Sequence, residues 1–399
     1  MPVVSASLLP VFLIVLVDVF GMTLVFPLLA IYAESFSATP LQATLLVSTF
    51  AVCQLLTAPV IGHWSDRIGR KPMLVLSQLG TCLGFIILAR AHALWVIYLS
   101  RVIDGATAGN ISLAQSYIAD HTRPEDRTRA FGLLGVAFGI GFFIGPGITG
   151  VLSARYGLTA PIWLAAALSF TSVICTLVLL DGARPAGRRP PAAPLSWRTY
   201  FVYFERPAMR GHLVQFLCYA LAFSSFLSGF ALFAERRFVW SGRPFGPQEI
   251  GAVFAFVGLF AVAMQAGVLG RLSRRLGDVM LVRSGLLTLV AGFLLLGTSS
   301  SLIALAISAM LLAYANSVLR PALSSQVSRQ AGPHEQGVVA GLMASLVSIA
   351  SIVAPAIGGF FIGHQQLAAW AWVAAGMAAL GVALSLVNPR PAGAAASAS

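Results

Sequence analysis

The chain has 399 residues, of which 58% are hydrophobic and 10% charged, with a mean hydropathy of +0.87. A soluble domain carries about 25% charged residues, so water is excluded as the solvent for most of this chain. The formal net charge of +12 would suggest nucleic acid in a soluble protein, but here one lysine, Lys71, and 24 arginines gather in a few connectors. That is how a membrane protein fixes its orientation, and no nucleic-acid partner is expected.

A membrane span needs roughly 20 apolar residues. Apolar runs broken by Gly, Pro or charge clusters predict twelve spans, at 7–33, 42–63, 73–91, 94–116, 130–153, 160–180, 210–234, 248–270, 279–298, 301–322, 337–363 and 367–387. The first run lacks a basic leader and outlasts a signal peptide, so it reads as an uncleaved span. The stretch 181–209, with Arg184, Arg188, Arg189, Pro190, Pro191 and Arg198, cannot build a core and reads as a linker. It divides the chain into six-helix bundles at 1–180 and 210–390, with a disordered tail at 391–399. The predicted fold is all-α and membrane-embedded.

With the N-terminus inside, nineteen cations fall in the cytoplasmic connectors (Arg271, Arg283, Arg320 and Arg329 among them) and five in the outer ones. This split places both termini in the cytoplasm of a bacterial inner (plasma) membrane. The four cysteines, Cys53, Cys82, Cys175 and Cys218, lie in apolar runs without CxxC spacing, so neither disulfides nor a metal is expected. Lys71 precedes Pro72, which excludes a GxxxxGK[ST] phosphate loop. The six histidines lie at loops or helix ends without an HExxH pattern. No cofactor and no enzymatic activity are expected.

The halves repeat. Gly62, Ser65, Arg67 and Gly69 match Gly270, Ser273, Arg275 and Gly277 at an offset of 208, and Pro124, Gly132, Pro146 and Gly150 match Pro333, Gly341, Pro355 and Gly359 at 209. Two related halves with a site between them are the plan of a transporter.

Four patterns carry chemistry. The run Gly62-x-x-x-Asp66-Arg67-x-Gly69-Arg70-Lys71 joins the second and third spans, and Tyr117-Ile118-Ala119-Asp120 ends the fourth. The run reads either as a basic turn that sets orientation or as one side of a charge network. In the fifth span, Gly141-x-x-x-Gly145-Pro146-x-x-Thr149-Gly150 permits close helix approach. Arg101 and Asp104 lie three apart in the fourth span and can pair on one helix face; they read as an internal ion pair or as part of a coupling path. Asp18 has no cation near it in sequence and reads as a protonation site or as a packing contact. Gln54, Asn110, Gln115, Gln215, Gln265 and Asn316 could line a cavity or bond neighbouring helices.

These patterns resemble the major facilitator superfamily. Gly62–Lys71 is similar to its loop signature, and the resemblance implies a cytoplasmic charge relay of Gly62, Asp66, Arg67, Gly69, Arg70 and Asp120. Gly141, Gly145, Pro146 and Gly150 resemble the antiporter signature GxxxGPxxGG, with Thr149 where the family usually has glycine. Arg101 and Gly105 resemble the RxxxG motif, tied in the family to proton coupling, with Asp104 where glutamine is frequent. Leu16–Gly21 with Pro27 is similar to the first span of tetracycline exporters. Those exporters carry acids in the third and ninth spans, where Thr81–Phe85 and Leu286–Phe293 have none. The resemblance implies a monomer in membrane lipid that exports a small amphiphilic molecule in exchange for protons. Proton-coupled import of a sugar or small metabolite is the alternative.

Overall fold

The computed structural model describes residues 8–121, 127–180, 202–298, 300–332 and 335–387. Most of the linker at 181–209 and the tail at 391–399 lie outside the described residues, as do Arg123, Pro124 and Pro333. The helices are α1 (Leu8–Val25), α2 (Leu29–Glu34), α3 (Pro40–Ile68), α4 (Arg70–Ala89), α5 (Leu94–Thr107), α6 (Asn110–His121), α7 (Arg127–Tyr156) and α8 (Ala160–Leu179). They continue as α9 (Pro207–Arg237), α10 (Pro247–Ala263), α11 (Leu269–Thr298), α12 (Leu302–Arg329), α13 (Gln336–Gly363) and α14 (Leu367–Val387). A two-residue hairpin, β1 (Val239–Trp240) with β2 (Arg243–Pro244), follows α9.

Grouped across their breaks, the described helices form twelve segments, as a twelve-span fold requires. Pro27 breaks the first into α1 and α2, because it has no N–H for the helical ladder. The fourth is broken at Ala108 and Gly109, and Ser77 of α4 satisfies the break: its hydroxyl bonds the Thr107 carbonyl and accepts from the Gly109 N–H at 2.8 Å. The eighth is α10, a π-helical turn (Met264–Val268) and the start of α11 as far as Gly277. Gly277, at φ 70°, turns the chain into the ninth span, and Gly69, at φ 115°, turns α3 into α4. The predicted repeat therefore places a left-handed glycine at the same turn in both halves. Among the described residues, nine helices have the length and composition to cross a membrane.

Large apolar side chains stand exposed around the bundle, including Val178 at 74%, Ile303 at 73% and Trp95 at 63%. Lipid is the solvent that accepts such a surface. Inside each half, helices pack as the repeat requires. In the first, α1 lies against α7 and α8, and α4 against α5 and α8. In the second, α9 lies against α13 and α14, and α11 against α12 and α14. Trp370 of α14 anchors the second half, 4.7 Å from Phe233 and 6.2 Å from Phe293 between ring centroids.

The halves meet along two related seams, α7 with α10 and α13 with α3. At the first, Gly150 lies against Pro247 and Gln248; at the second, its counterpart Gly359 lies against Pro40 and Leu41. Ser48 donates to the Ile352 carbonyl at 2.7 Å, and Glu34 pairs with Arg236 at 2.5 Å. These joins are on the side of the bundle opposite Gly69.

Candidate functional site

Asp18 lies within α1, and sequence reasoning missed the polar partners that reach it, Gln78 and Ser172. Gln78 of α4 donates through Nε2 to Asp18 Oδ2 at 3.4 Å and to Ser172 Oγ of α8 at 2.7 Å. Ser172 donates onward to the Ile14 carbonyl at 3.4 Å. Three spans thus converge on one carboxyl group, and no cation bonds it among the described residues. Asp18 Oδ1 and Gln78 Oε1 are both buried without a hydrogen-bond partner. A lone amide in an otherwise apolar span is the signal that could have singled out Gln78.

Arg101 and Asp104 pair on α5, with Nη1 3.1 Å from Oδ2 and side chains only 6% and 8% exposed. The guanidinium sits 5.8 Å over the Phe85 ring, and Thr81 also bonds Asp104. Asp104 is close enough to act electrostatically on Asp18. The structure does not bring Arg101 into a bond with Asp18. Two acids and one arginine therefore share the interior of the first half, only one acid being directly neutralised. Such groups inside a membrane are costly and by default functional.

The cavity candidates divide. Gln115 is exposed, Gln54 is half-buried within α3, and Asn110 is half-buried at the start of α6, just after the break in the fourth span. Gln215 is 2% exposed, sealed among helices rather than lining an open wall. Asn316 accepts a 2.5 Å hydrogen bond from the Tyr219 hydroxyl. Arg320, counted with the cytoplasmic connectors although it falls inside the predicted span 301–322, lies within α12, nine residues before its end. The apolar pattern there runs on past Arg320 and Pro321 to Val327, so the helix does too.

At the end of α3, Arg70 is bound on two sides. It pairs with Asp66 at 2.6 Å and with Asp120 of α6 at 3.0 Å, and it also bonds Ser65. Arg67 is engaged as well. Lys71 donates to the Leu177 and Leu180 carbonyls at 2.9 and 2.7 Å, capping the end of α8. Gly62 is not part of the turn. It lies inside α3, and nothing stands within 4 Å of the place its Cβ would take. The turn needs Gly69.

The glycine face of α7 meets α1. Gly141 and Gly145 stand against Val19 and Thr23, and Thr23 donates to the Gly141 carbonyl at 3.0 Å. Thr149, the departure from the antiporter signature, donates to the Leu24 carbonyl at 2.6 Å. Its hydroxyl ties two helices where glycine would only let them touch. On the neighbouring face, Gly258 of α10 approaches so closely that a Cβ would lie 2.5 Å from the Phe142 carbonyl oxygen.

Comparison with known proteins agrees with this architecture. The family model described as Major Facilitator Superfamily matches residues 11–291 and 266–399. Tetracycline resistance protein, class C, of Escherichia coli is 30% identical over 362 residues, covering 86% of each chain. Multidrug resistance protein 2 of Bacillus subtilis (strain 168) is 28% identical over 363 residues, covering 88% of each. Among solved structures, the human organic anion transporter MFSD10 (TETRAN) is 25% identical with a TM-score of 0.73, covering 96% of this chain and 100% of that one. The paired halves, the loop signature before Gly69 and the match along nearly the whole chain make this protein a member of the Major Facilitator Superfamily.

Proposed function

We propose that the protein exports a small amphiphilic compound in exchange for protons by alternating access. The observation that carries this reading is Asp18, a carboxyl buried among α1, α4 and α8 beside Gln78 and Ser172, with the Arg101–Asp104 pair on the adjacent α5. A proton taken up there changes the charge of the interior by one unit, which biases a two-state equilibrium. Asp18 takes and releases the proton; Arg101 and Asp104 set the field around it. Asp66, Arg70 and Asp120 tie α3, α4 and α6 together at the cytoplasmic end of the first half, and the seams at Gly150 and Gly359 close the opposite side. With both termini cytoplasmic, the joins at Glu34, Ser48, Gly150 and Gly359 are external, so this conformation opens toward the cytoplasm.

The chain acts as a monomer in the inner membrane, organised as bundles 1–180 and 210–390 joined by the cytoplasmic linker 181–209. The tetracycline and multidrug resistance relatives support export of drug-like molecules. A substrate panel in an efflux-deficient host, with and without an uncoupler, tests the reading. Resistance or dye exclusion that disappears with the uncoupler is expected. Efflux that survives uncoupling and falls with ATP would overturn it.

A further inference from the structure

The second half contains a membrane-depth arginine that pairs with no carboxylate among the described residues. Arg320 lies about 13 Å from the end of α12 at 1.5 Å per residue. On its helical face, Ala313, Leu323 and Val327 are fully buried and Asn316 is half-buried. The lipid side of the helix is marked instead by Ile303, Ile307 and Met310, all exposed. Arg320 is itself exposed. This exposed cation stands on the Asn316 side of α12, turned away from the side that Ile303, Ile307 and Met310 mark as lipid-facing.

The acids of this half are used elsewhere. Glu235 is beside Arg236, Glu249 pairs with Arg243, Asp278 with Arg329 and Glu335 with Arg206, while Glu205 lies before α9. No acid pairs with Arg320 among the described residues. What does lie near it is an aromatic pair, Tyr219 buried in the core and Phe223 half-buried beside it. Tyr219 of α9 is within electrostatic reach of the guanidinium and stacks on Phe223 with ring centroids 5.9 Å apart and planes inclined by 15°. Asn316, one turn from Arg320, accepts from Tyr219 through Oδ1, which leaves its amide N–H groups as donors. A planar cation, an amide donor and the half-buried Phe223 ring, backed by Tyr219, form a receptor for a carboxylate carried on an aromatic body.

We propose that Arg320, Asn316 and the Phe223 ring, which Tyr219 backs, bind an aromatic amphiphile through its carboxylate, and that this is the substrate class of the central site. This rests on the export reading above and narrows it to anionic cargo. In the cycle, Arg320 supplies the positive charge that holds the cargo in the second half, and Asp18 handles the proton in the first.

The test is equilibrium binding by fluorescence polarisation, with the purified protein in phosphatidylcholine nanodiscs. Two dyes on the same xanthene ring serve as probes, anionic fluorescein and cationic rhodamine 6G. Wild type should bind fluorescein, Arg320→Gln should weaken it about tenfold or more, and Arg320→Lys should weaken it less. Rhodamine 6G binding should not fall in either variant. No fluorescein binding by wild type, unchanged binding in Arg320→Gln, or equal loss of both dyes would overturn the proposal. So would loss of fluorescein binding when phosphatidylglycerol is added, because a lipid headgroup would then be the occupant. If Arg320→Gln does not fold, Arg320→Lys and the salt dependence of wild-type binding decide instead: weakening by both supports the site, and indifference to both overturns it. Binding needs no gradient, so its failure leaves proton-coupled export standing. A protein that binds fluorescein but exports nothing under a proton gradient sinks the export reading alone.

Discussion

Arg70 and Asp278 occupy the same position in the two halves, 208 residues apart, and close equivalent ion pairs with the charges reversed. Arg70 reaches Asp120 at 3.0 Å, and Asp278 reaches Arg329, the counterpart of Asp120, at 2.9 Å. Even the serine partner is shared, since Ser65 bonds Arg70 and Ser273 bonds Asp278. The repeat keeps the latch while exchanging its charges. The second latch is more exposed, with Arg329 at 71%, and a pair of that kind contributes at most about 1 kcal/mol. Asp278→Arg or Arg329→Asp alone should slow transport about fivefold, the equivalent of that energy. The double exchange Asp278→Arg with Arg329→Asp should recover most of the rate. Initial rates in inverted vesicles measure this, and a double variant no better than either single would disprove the latch.

The first latch is tighter. Asp66→Asn removes one of two carboxylates held by a single guanidinium, leaving Arg70 with Asp120 alone where α3, α4 and α6 meet. Transport should be abolished while membrane insertion, followed by immunoblot of the membrane fraction, is unchanged. Near wild-type transport would reduce this turn to an orientation signal.

The spans, the repeat and the pairing of Arg101 with Asp104 were legible because apolar run length, fixed offsets and helical spacing are properties of the linear chain. Gln78 was not, since what distinguishes it is a carboxyl on another helix, 60 residues away. Arg320 was misplaced for a related reason. It falls at the end of the predicted span 301–322 and is counted with the connector after it, whereas the helix runs on to Arg329. Gly62 erred in the opposite sense: it belongs to the motif by spacing, but the backbone is helical there and Gly69 makes the turn.

The seam between α7 and α10 depends on having no side chain at Gly258. Gly258→Val would drive a branched Cβ against the Phe142 carbonyl and should destabilise the protein by about 1–3 kcal/mol, the usual cost of overpacking. A thermal unfolding midpoint equal to wild type in detergent would show that the seam is looser than the contact implies.

Arg206 clamps the start of α9 to the start of α13 through two hydrogen bonds to Glu335, of 2.9 and 2.7 Å. Those bonds, with one from the Gly332 N–H, hold the Glu335 carboxyl down to about 2. A carboxylate depressed in the folded state stabilises above its unfolded value and loses that effect as pH falls through the folded one. The stability difference between wild type and Glu335→Gln should therefore be constant from about pH 5 to about pH 8 and shrink below about pH 4. A difference that changes between pH 6 and pH 8 would mean that another group titrates with the clamp.

The most direct test of the account is uphill efflux by Asp18→Asn in proteoliposomes under an imposed pH gradient, compared with counterflow in the same vesicles without one. Asp18→Asn should lose uphill efflux and keep counterflow, because exchange requires no net proton movement. Asp104→Asn should be milder if its carboxylate only neutralises Arg101. Uphill efflux by Asp18→Asn at the wild-type level, with an unchanged pH profile, would contradict the assignment of the proton to Asp18.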